Sequence, residues 1–406
     1  MTTKKSSKGS NDGEEALNTK AISFLFILKV IRKDTGEEFK ELLTQGLNIN
    51  MVNGKGKTLL MIQCINLSLK GVKLLLEHGS DVNITDSRGN SALILACRHY
   101  KANCKEECAD IIKLLVAKGT NINMSSRFPP TLRDYYRGTV LLEACIRGRL
   151  DVVTLLLELG ADINDSYQNP LIEACTLRRI NVVRLLISYG ADVNGSNNYG
   201  NTSLGVACIY GFDDVVKVLL GHGADTNLLQ GVNKLTPLVI ACMNGHVSTI
   251  KLLLDRGADI NYICEGRTPL LTACYYGKIC VVRYLLQRGA DANAYSTTGI
   301  TPLMAMSGYS CNCPLLDLLL EYGGDINAES GEGGCPLSFA AERYRRENVK
   351  LLLERGADLY KEDGITPAIA FTTHGLFTSD PEIAALVVKY SEVNKRAYRA
   401  LQPLLK

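Results

Sequence analysis

A chain of 406 residues, 46% of them apolar and 21% charged, has enough apolar material to bury a large core, which excludes a disordered protein. Its 45 basic and 42 acidic residues leave a net charge of +3, too near neutral for the dense basic field of a dedicated nucleic-acid binder. No nucleic-acid partner is expected, and partners must be recognised by surface shape. In chain order, residues 1–18 contain KKSSKGSNDG and predict a disordered polar tail. The apolar run from Ala21 to Ile31 is interrupted by Lys29 and reaches about half of the ~20 residues that span a bilayer, so no membrane insertion is expected. Glu14 and Glu15 stand where a secretory leader would be cationic, and no small-x-small cleavage site follows, so secretion is not expected either. Residues 19–50 predict a first helical pair acting as a cap. Residues 51–360 predict about nine repeats of one kind. Residues 361–406 predict a closing cap and a terminal helix, with Asp380 before Pro381 reading as a helix start.

The repeats announce themselves by LLLELGADIN at Leu155, which returns as LLISYGADVN, LLLDRGADIN, YLLQRGADAN and LLLEYGGDIN. The glycines of these segments are Gly46, Gly79, Gly119, Gly160, Gly190, Gly223, Gly257, Gly289, Gly323 and Gly356, at intervals of 33, 40, 41, 30, 33, 34, 32, 34 and 33. A second beat runs in phase: TPL at Thr236, Thr268 and Thr301, TSL at Thr202, NPL at Asn169 and CPL at Cys335. Each opening Thr suits a helix N-cap with Pro at the first helical position. About ten helix-forming residues and a turn follow, then apolar positions at helical spacing such as Val152, Val153, Leu155 and Leu156. The glycine suits the left-handed residue that ends a helix, and Asp and Asn then favour a tight turn. A single hairpin cannot bury its apolar face, so the units should stack into a solenoid with one continuous core, making the chain a single elongated domain.

With this period, the TPL start and the GADxN end, the chain resembles the ankyrin-repeat family from residue 19 to about 390. The resemblance implies a mainly α fold: a solenoid of stacked helical hairpins with β-hairpin fingers. It also implies a non-catalytic protein–protein interaction module or scaffold that grips a protein partner on its concave face. The alternative it raises is the substrate-recognition subunit of a ubiquitin ligase complex, although no adaptor-binding box is visible before residue 19 or after Tyr390.

Two features depart from the family. The His that follows TPL is replaced by Met61, Ile94, Leu142, Ile172, Gly205, Val239, Leu271, Met304, Ser338 and Ile369, so apolar packing should replace its hydrogen bonding. Seven of fourteen cysteines, Cys64, Cys97, Cys145, Cys175, Cys208, Cys242 and Cys274, recur at one place, as small core residues do. Helices pack about 8 to 10 Å apart whereas a disulfide needs Cα atoms within about 7 Å, so these should stay reduced. A reducing compartment follows, the cytoplasm with the nucleus as alternative. Two insertions break the period, one in the finger from Met124 to Gly138 and one, YKANCKEEC, between two helices from Tyr100 to Cys108.

Five histidines sit at positions the repeat explains, and none has a Cys, Ser or Asp at catalytic spacing; no phosphate-cradling glycine loop is present. Neither enzyme activity, nor a cofactor, nor a metal is expected. Cys104 with Cys108 and Cys311 with Cys313 lack two further ligands at zinc spacing. Binding has better support. Ten of eighteen tyrosines fall on finger or first-helix places that vary between repeats, and tyrosine is the side chain that interfaces favour. The expected partner-binding residues are Tyr135, Tyr136, Arg147, Tyr199, Tyr210, Tyr275, Tyr276 and Tyr309, in a protein that works as a monomer.

Overall fold

The computed structural model describes residues 24–33, 36–100, 104–125, 138–164, 169–309, 313–358, 385 and 389–390. The expected tail, 1–18, lies outside these, as does nearly all of 361–406. The chain divides into two compact units, Met1–Asp192 and Val193–Lys406. In the first, α1 (24–33) and α2 (Gly36–Thr44) precede the pairs α3 (Leu59–Ile65) and α4 (Leu69–Glu77), α5 (Ala92–Arg98) and α6 (Lys105–Ala117), α7 (Val140–Arg147) and α8 (Leu150–Glu158), α9 (Pro170–Thr176) and α10 (Ile180–Ser188). The second holds α11 (Ser203–Tyr210) and α12 (Asp213–Gly221), α13 (Pro237–Asn244) and α14 (Val247–Leu254), α15 (Pro269–Tyr275) and α16 (Ile279–Gln287), α17 (Pro302–Tyr309) and α18 (Cys313–Glu321), α19 (Pro336–Glu342) and α20 (Arg346–Glu354). Within each unit first helices pack on first helices and second on second, as α13 on α15 and α14 on α16.

Local chemistry sets each pair. Thr236 Oγ1 accepts from the Val239 N–H at 3.3 Å and Thr268 Oγ1 from Leu271 at 3.2 Å, so the first turn of each helix is capped by the residue the repeat supplies. Pro237 and Pro269 follow at the first helical position. The glycine that ends each second helix has φ between 83° and 90° in all ten repeats. A Cβ added at Gly223 would meet nothing within 4 Å, so backbone conformation alone requires glycine there.

The fingers hold the repeats in register by a ladder. The side-chain oxygen of each GADxN asparagine accepts from the backbone N–H of the corresponding aspartate one repeat on: Asp162 to Asn123 at 2.8 Å, Asp192 to Asn164 at 2.9 Å, Asp225 to Asn194 at 2.9 Å, Asp325 to Asn293 at 2.7 Å. The aspartate carboxylate turns inward to its own loop, as Asp225 Oδ1 does to the Asn227 N–H at 2.8 Å. The asparagine read as a turn former is thus an inter-repeat tie. Single antiparallel bridges such as Thr85 with Ser91 and Ser196 with Thr202 close the finger hairpins.

The seven repeated cysteines are buried free thiols, and every cysteine among the described residues is free. They pack with neighbours such as Leu204, Ala207, Val215 and Leu219, side chains that each contribute about 1.5–3 kcal/mol when fully buried if as large as Val or Leu. At the family's histidine place, Ile94, Leu142, Ile172, Val239 and Leu271 are buried apolar residues, as expected. Elsewhere polar contact returns. Sulfur of Met61 accepts from the Thr58 N–H at 3.4 Å, and Ser338 Oγ accepts from the Cys335 N–H at 2.9 Å. Over Gly205, Gln230 of the next finger fills the space a side chain would take, and its Oε1 accepts from Thr202 Oγ1 at 2.9 Å. A glycine in one repeat makes room for a hydrogen bond from the next.

The insertion after Tyr100 is partly wound into helix: α6 has 13 residues against nine in α4 and α8. Residues 126–137 of the long finger lie outside the described residues.

Candidate functional site

In the second unit, Tyr210 ends α11, Tyr275 ends α15, Tyr276 caps it, and Tyr199 lies on the finger before α11. The last turn of a first helix is followed by a left-handed residue that sends the chain back, at Gly211 and Gly277 here, so the final side chains pack on neither helix of their own pair. The four tyrosines are accordingly 50%, 42%, 44% and 62% exposed in that order. Three of them are held by ring contacts. Tyr210 stacks on Phe212 with centroids 5.3 Å apart and planes 17° from parallel, and Tyr275 meets Tyr276 edge-on at 5.5 Å. The Arg267 guanidinium carbon lies 4.6 Å from the Tyr275 centroid. Such contacts restrict the rings before a partner arrives, which lowers the entropy lost on binding. Nothing in the sequence pattern marked Phe212 or Arg267, because their relation to the tyrosines is spatial.

In the first unit, Arg147 is not an isolated cation. Its Nε donates to Glu143 Oε1 at 2.7 Å, and Glu143 also accepts from Arg98 Nε at 3.0 Å and Nη2 at 3.4 Å. Burial acts to raise the Glu143 pKa and is the largest single influence, but the bonds and charges of Arg98 and Arg147 together outweigh it and hold the carboxyl below its usual range. Glu173 takes the same place one repeat on, and there burial raises the carboxyl above that range. Arg147 thus belongs to a clamp, while the four described tyrosines belong to the other unit. Tyr135 and Tyr136 lie outside the described residues. Tyr309 ends α17, and its side chain also lies outside them.

The histidines serve the frame: His78 Nδ1 meets the Leu74 carbonyl at 2.8 Å, His222 Nδ1 that of Val218 at 2.8 Å, and His246 Nε2 that of Ile209 at 3.0 Å. Among the described residues no three His, Cys, Asp or Glu side chains cluster as a metal site, and no helix is long and apolar enough to cross a membrane.

Stacked helical pairs closed by glycine, tied by a finger ladder and presenting variable side chains at first-helix ends, define a repeat protein of the ankyrin type. The profile of the family described as "Ankyrin repeats (3 copies)" matches residues 27–126, 141–230, 204–296 and 289–363, and the chain belongs to the ankyrin-repeat family. Ankyrin repeats are generally protein–protein interaction modules and typically non-catalytic. A 53-residue stretch is 43% identical to a putative ankyrin repeat protein of Rickettsia bellii (strain RML369-C), covering 13% of this chain and 32% of that protein, so the match spans about a third of the relative's length. Among solved structures, the human ASB11 ankyrin repeat domain is 30% identical with a TM-score of 0.48, over 53% of this chain and 96% of its own. The ankyrin repeat domain of Bcl-3, a member of the IkappaB family, is likewise 30% identical with a TM-score of 0.48, over 54% and 99%.

Proposed function

We propose that the chain is a non-catalytic scaffold that captures a protein segment on the tyrosine row of its second unit, Tyr199, Tyr210, Tyr275 and Tyr276. The observation that carries this reading is the exposure of four tyrosines at first-helix ends and a finger, three of them already fixed by ring contacts. Interfaces concentrate their energy in a few such rigid, amphipathic side chains. Free thiols at one core place in seven repeats suit a reducing compartment, and we assign the protein to the cytoplasm, with the nucleus as alternative.

Affinity purification with wild type and a Tyr210, Tyr275, Tyr276 triple alanine variant, read by mass spectrometry, identifies proteins that need the row. Each single Tyr to Ala change should then weaken binding of such a protein by about 1–3 kcal/mol, while Lys217→Ala and Arg283→Ala on second helices do little. Equal affinity of wild type and the triple variant for every captured protein would overturn the assignment. Co-purification of a cullin-type complex would favour the ubiquitin-ligase alternative.

A further inference from the structure

Several second helices are moored to the preceding repeat in one manner. Arg179 Nε donates to the Ile146 carbonyl at 3.1 Å, His246 Nε2 meets that of Ile209 at 3.0 Å, and Arg345 Nε donates to that of Gly308 at 3.1 Å. Each acceptor lies in the last turn of a first helix, where unpaired carbonyls carry partial negative charge. Arg149 holds the same place before α8, yet its Nε is buried with no hydrogen-bond partner. Its guanidinium carbon sits instead 4.6 Å from the centroid of Tyr100, the residue that opens the helix-lengthening insertion. An arginine that moors elsewhere has been turned aside here.

It is turned toward a cleft of about 380 Å³ bordered by Tyr100, Lys105, Arg147, Arg149 and Asp151. The acid in this wall is already engaged: Asp151 accepts from the Tyr100 hydroxyl, and Lys105 Nζ stands 3.8 Å from it. Lys105, Arg149 and Asp151 together carry one net positive charge. So do Arg98, Arg147 and Glu143, whose carboxylate both arginines share. The open N-terminus of α8 is common to other second helices, α10 and α12 among them, and does not distinguish this place. What distinguishes it is the guanidinium of Arg149, stacked and without an acceptor, beside a lysine supplied by the insertion.

We propose that this cleft receives an acidic side chain, Asp or Glu, of a protein partner. A planar guanidinium held on an aromatic face matches a planar carboxylate, and an orphaned buried donor is the group such a ligand satisfies. Asp151 in the wall opposes a phosphoryl dianion more strongly than a carboxylate. The inference rests on the interaction-module reading but uses a different unit of the chain.

The test titrates the full chain with a fluorescein-labelled oligoglutamate peptide, against its oligoglutamine counterpart, at low and high salt. The glutamate peptide should bind and the glutamine peptide should not, with affinity falling as salt rises. Arg149→Ala and Lys105→Ala should each weaken binding by about tenfold, as loss of a charge-assisted bond does. Lys105 is exposed, so its removal spares the fold. Arg149→Lys, which keeps the charge without the fork, should lose several-fold. Equal loss on Lys217→Ala or Arg283→Ala would reveal diffuse attraction and overturn the site, as would equal binding of both peptides. Displacement by inorganic phosphate at lower concentration than by free glutamate would overturn the carboxylate assignment. The triple tyrosine variant should bind the glutamate peptide like wild type. Failure of the peptide alongside a captured protein that still needs the tyrosines would refute the cleft and leave the module reading standing.

Discussion

Arg179 joins the start of α10 to the carbonyl of Ile146, one repeat and 33 residues back, at 3.1 Å. Arg345 makes the same tie to Gly308, whereas Arg149 does not make it at all. Arg345→Ala should therefore cost about 1 kcal/mol, the net worth of a hydrogen bond, and Arg149→Ala no more than about 0.5 kcal/mol, since only an aromatic contact is lost. Urea midpoints of the two variants measure the difference. Equal destabilisation would mean that the mooring bond contributes nothing.

Gln230 and Gly205 should behave as one unit. Gly205→Ala must expel the Gln230 amide and leave Thr202 Oγ1 buried without its acceptor, at about 1–3 kcal/mol. In a Gln230→Ala background the same change meets an empty space and adds a better helix former, so it should be neutral or stabilising by up to about 1 kcal/mol. A double-mutant cycle in denaturant reads the coupling, and additive effects would remove the plug from the account.

Glu143 and Glu173 should respond to acid in opposite senses. The folded-state pKa of Glu143 is depressed, so its contribution is full above the ordinary carboxylate range and is lost as pH falls through the folded value. That of Glu173 is raised, so stability falls as pH rises from the ordinary value to the folded one. At neutral pH Glu143→Gln should destabilise and Glu173→Gln should stabilise, and both differences should shrink in acid. Thermal midpoints across the acid range test both, and a parallel response of the two variants would contradict the Arg98 and Arg147 clamp.

Thiol labelling should follow burial. Cys280 is exposed and should react first with a bulky maleimide, while the seven repeated cysteines wait for denaturant. Burial pushes the Cys145 thiol up to about 12, so almost no thiolate is present at neutral pH even where reagent enters. Rapid native labelling of Cys145 or Cys208, read by peptide mass spectrometry, would place them outside the core.

The tyrosines were legible because their exposure depends on a local event, the left-handed residue that ends a first helix and leaves its last side chains outside. Arg147 was not legible in the same way. Its charge is shared through Glu143 with Arg98, 45 residues from that glutamate, and no spacing rule connects them.

Sequence alone determined what acts within about four residues: the period, the Thr caps, the prolines at helix starts and the glycines whose positive φ ends each second helix. These follow from sterics and short-range hydrogen bonding, which a ten-residue motif contains in full. Tertiary structure decided the rest. The GADxN asparagine reads as a turn former until the next repeat brings an aspartate N–H to its oxygen, and Gly205 reads as a weak helix residue until Gln230 arrives over it. Arg149 and Arg179 hold one place in one motif, yet Arg179 reaches a carbonyl and Arg149 lies against Tyr100. The period is common to both. What each side chain meets at 3 to 5 Å belongs to the neighbouring repeat, and only stacking brings it there.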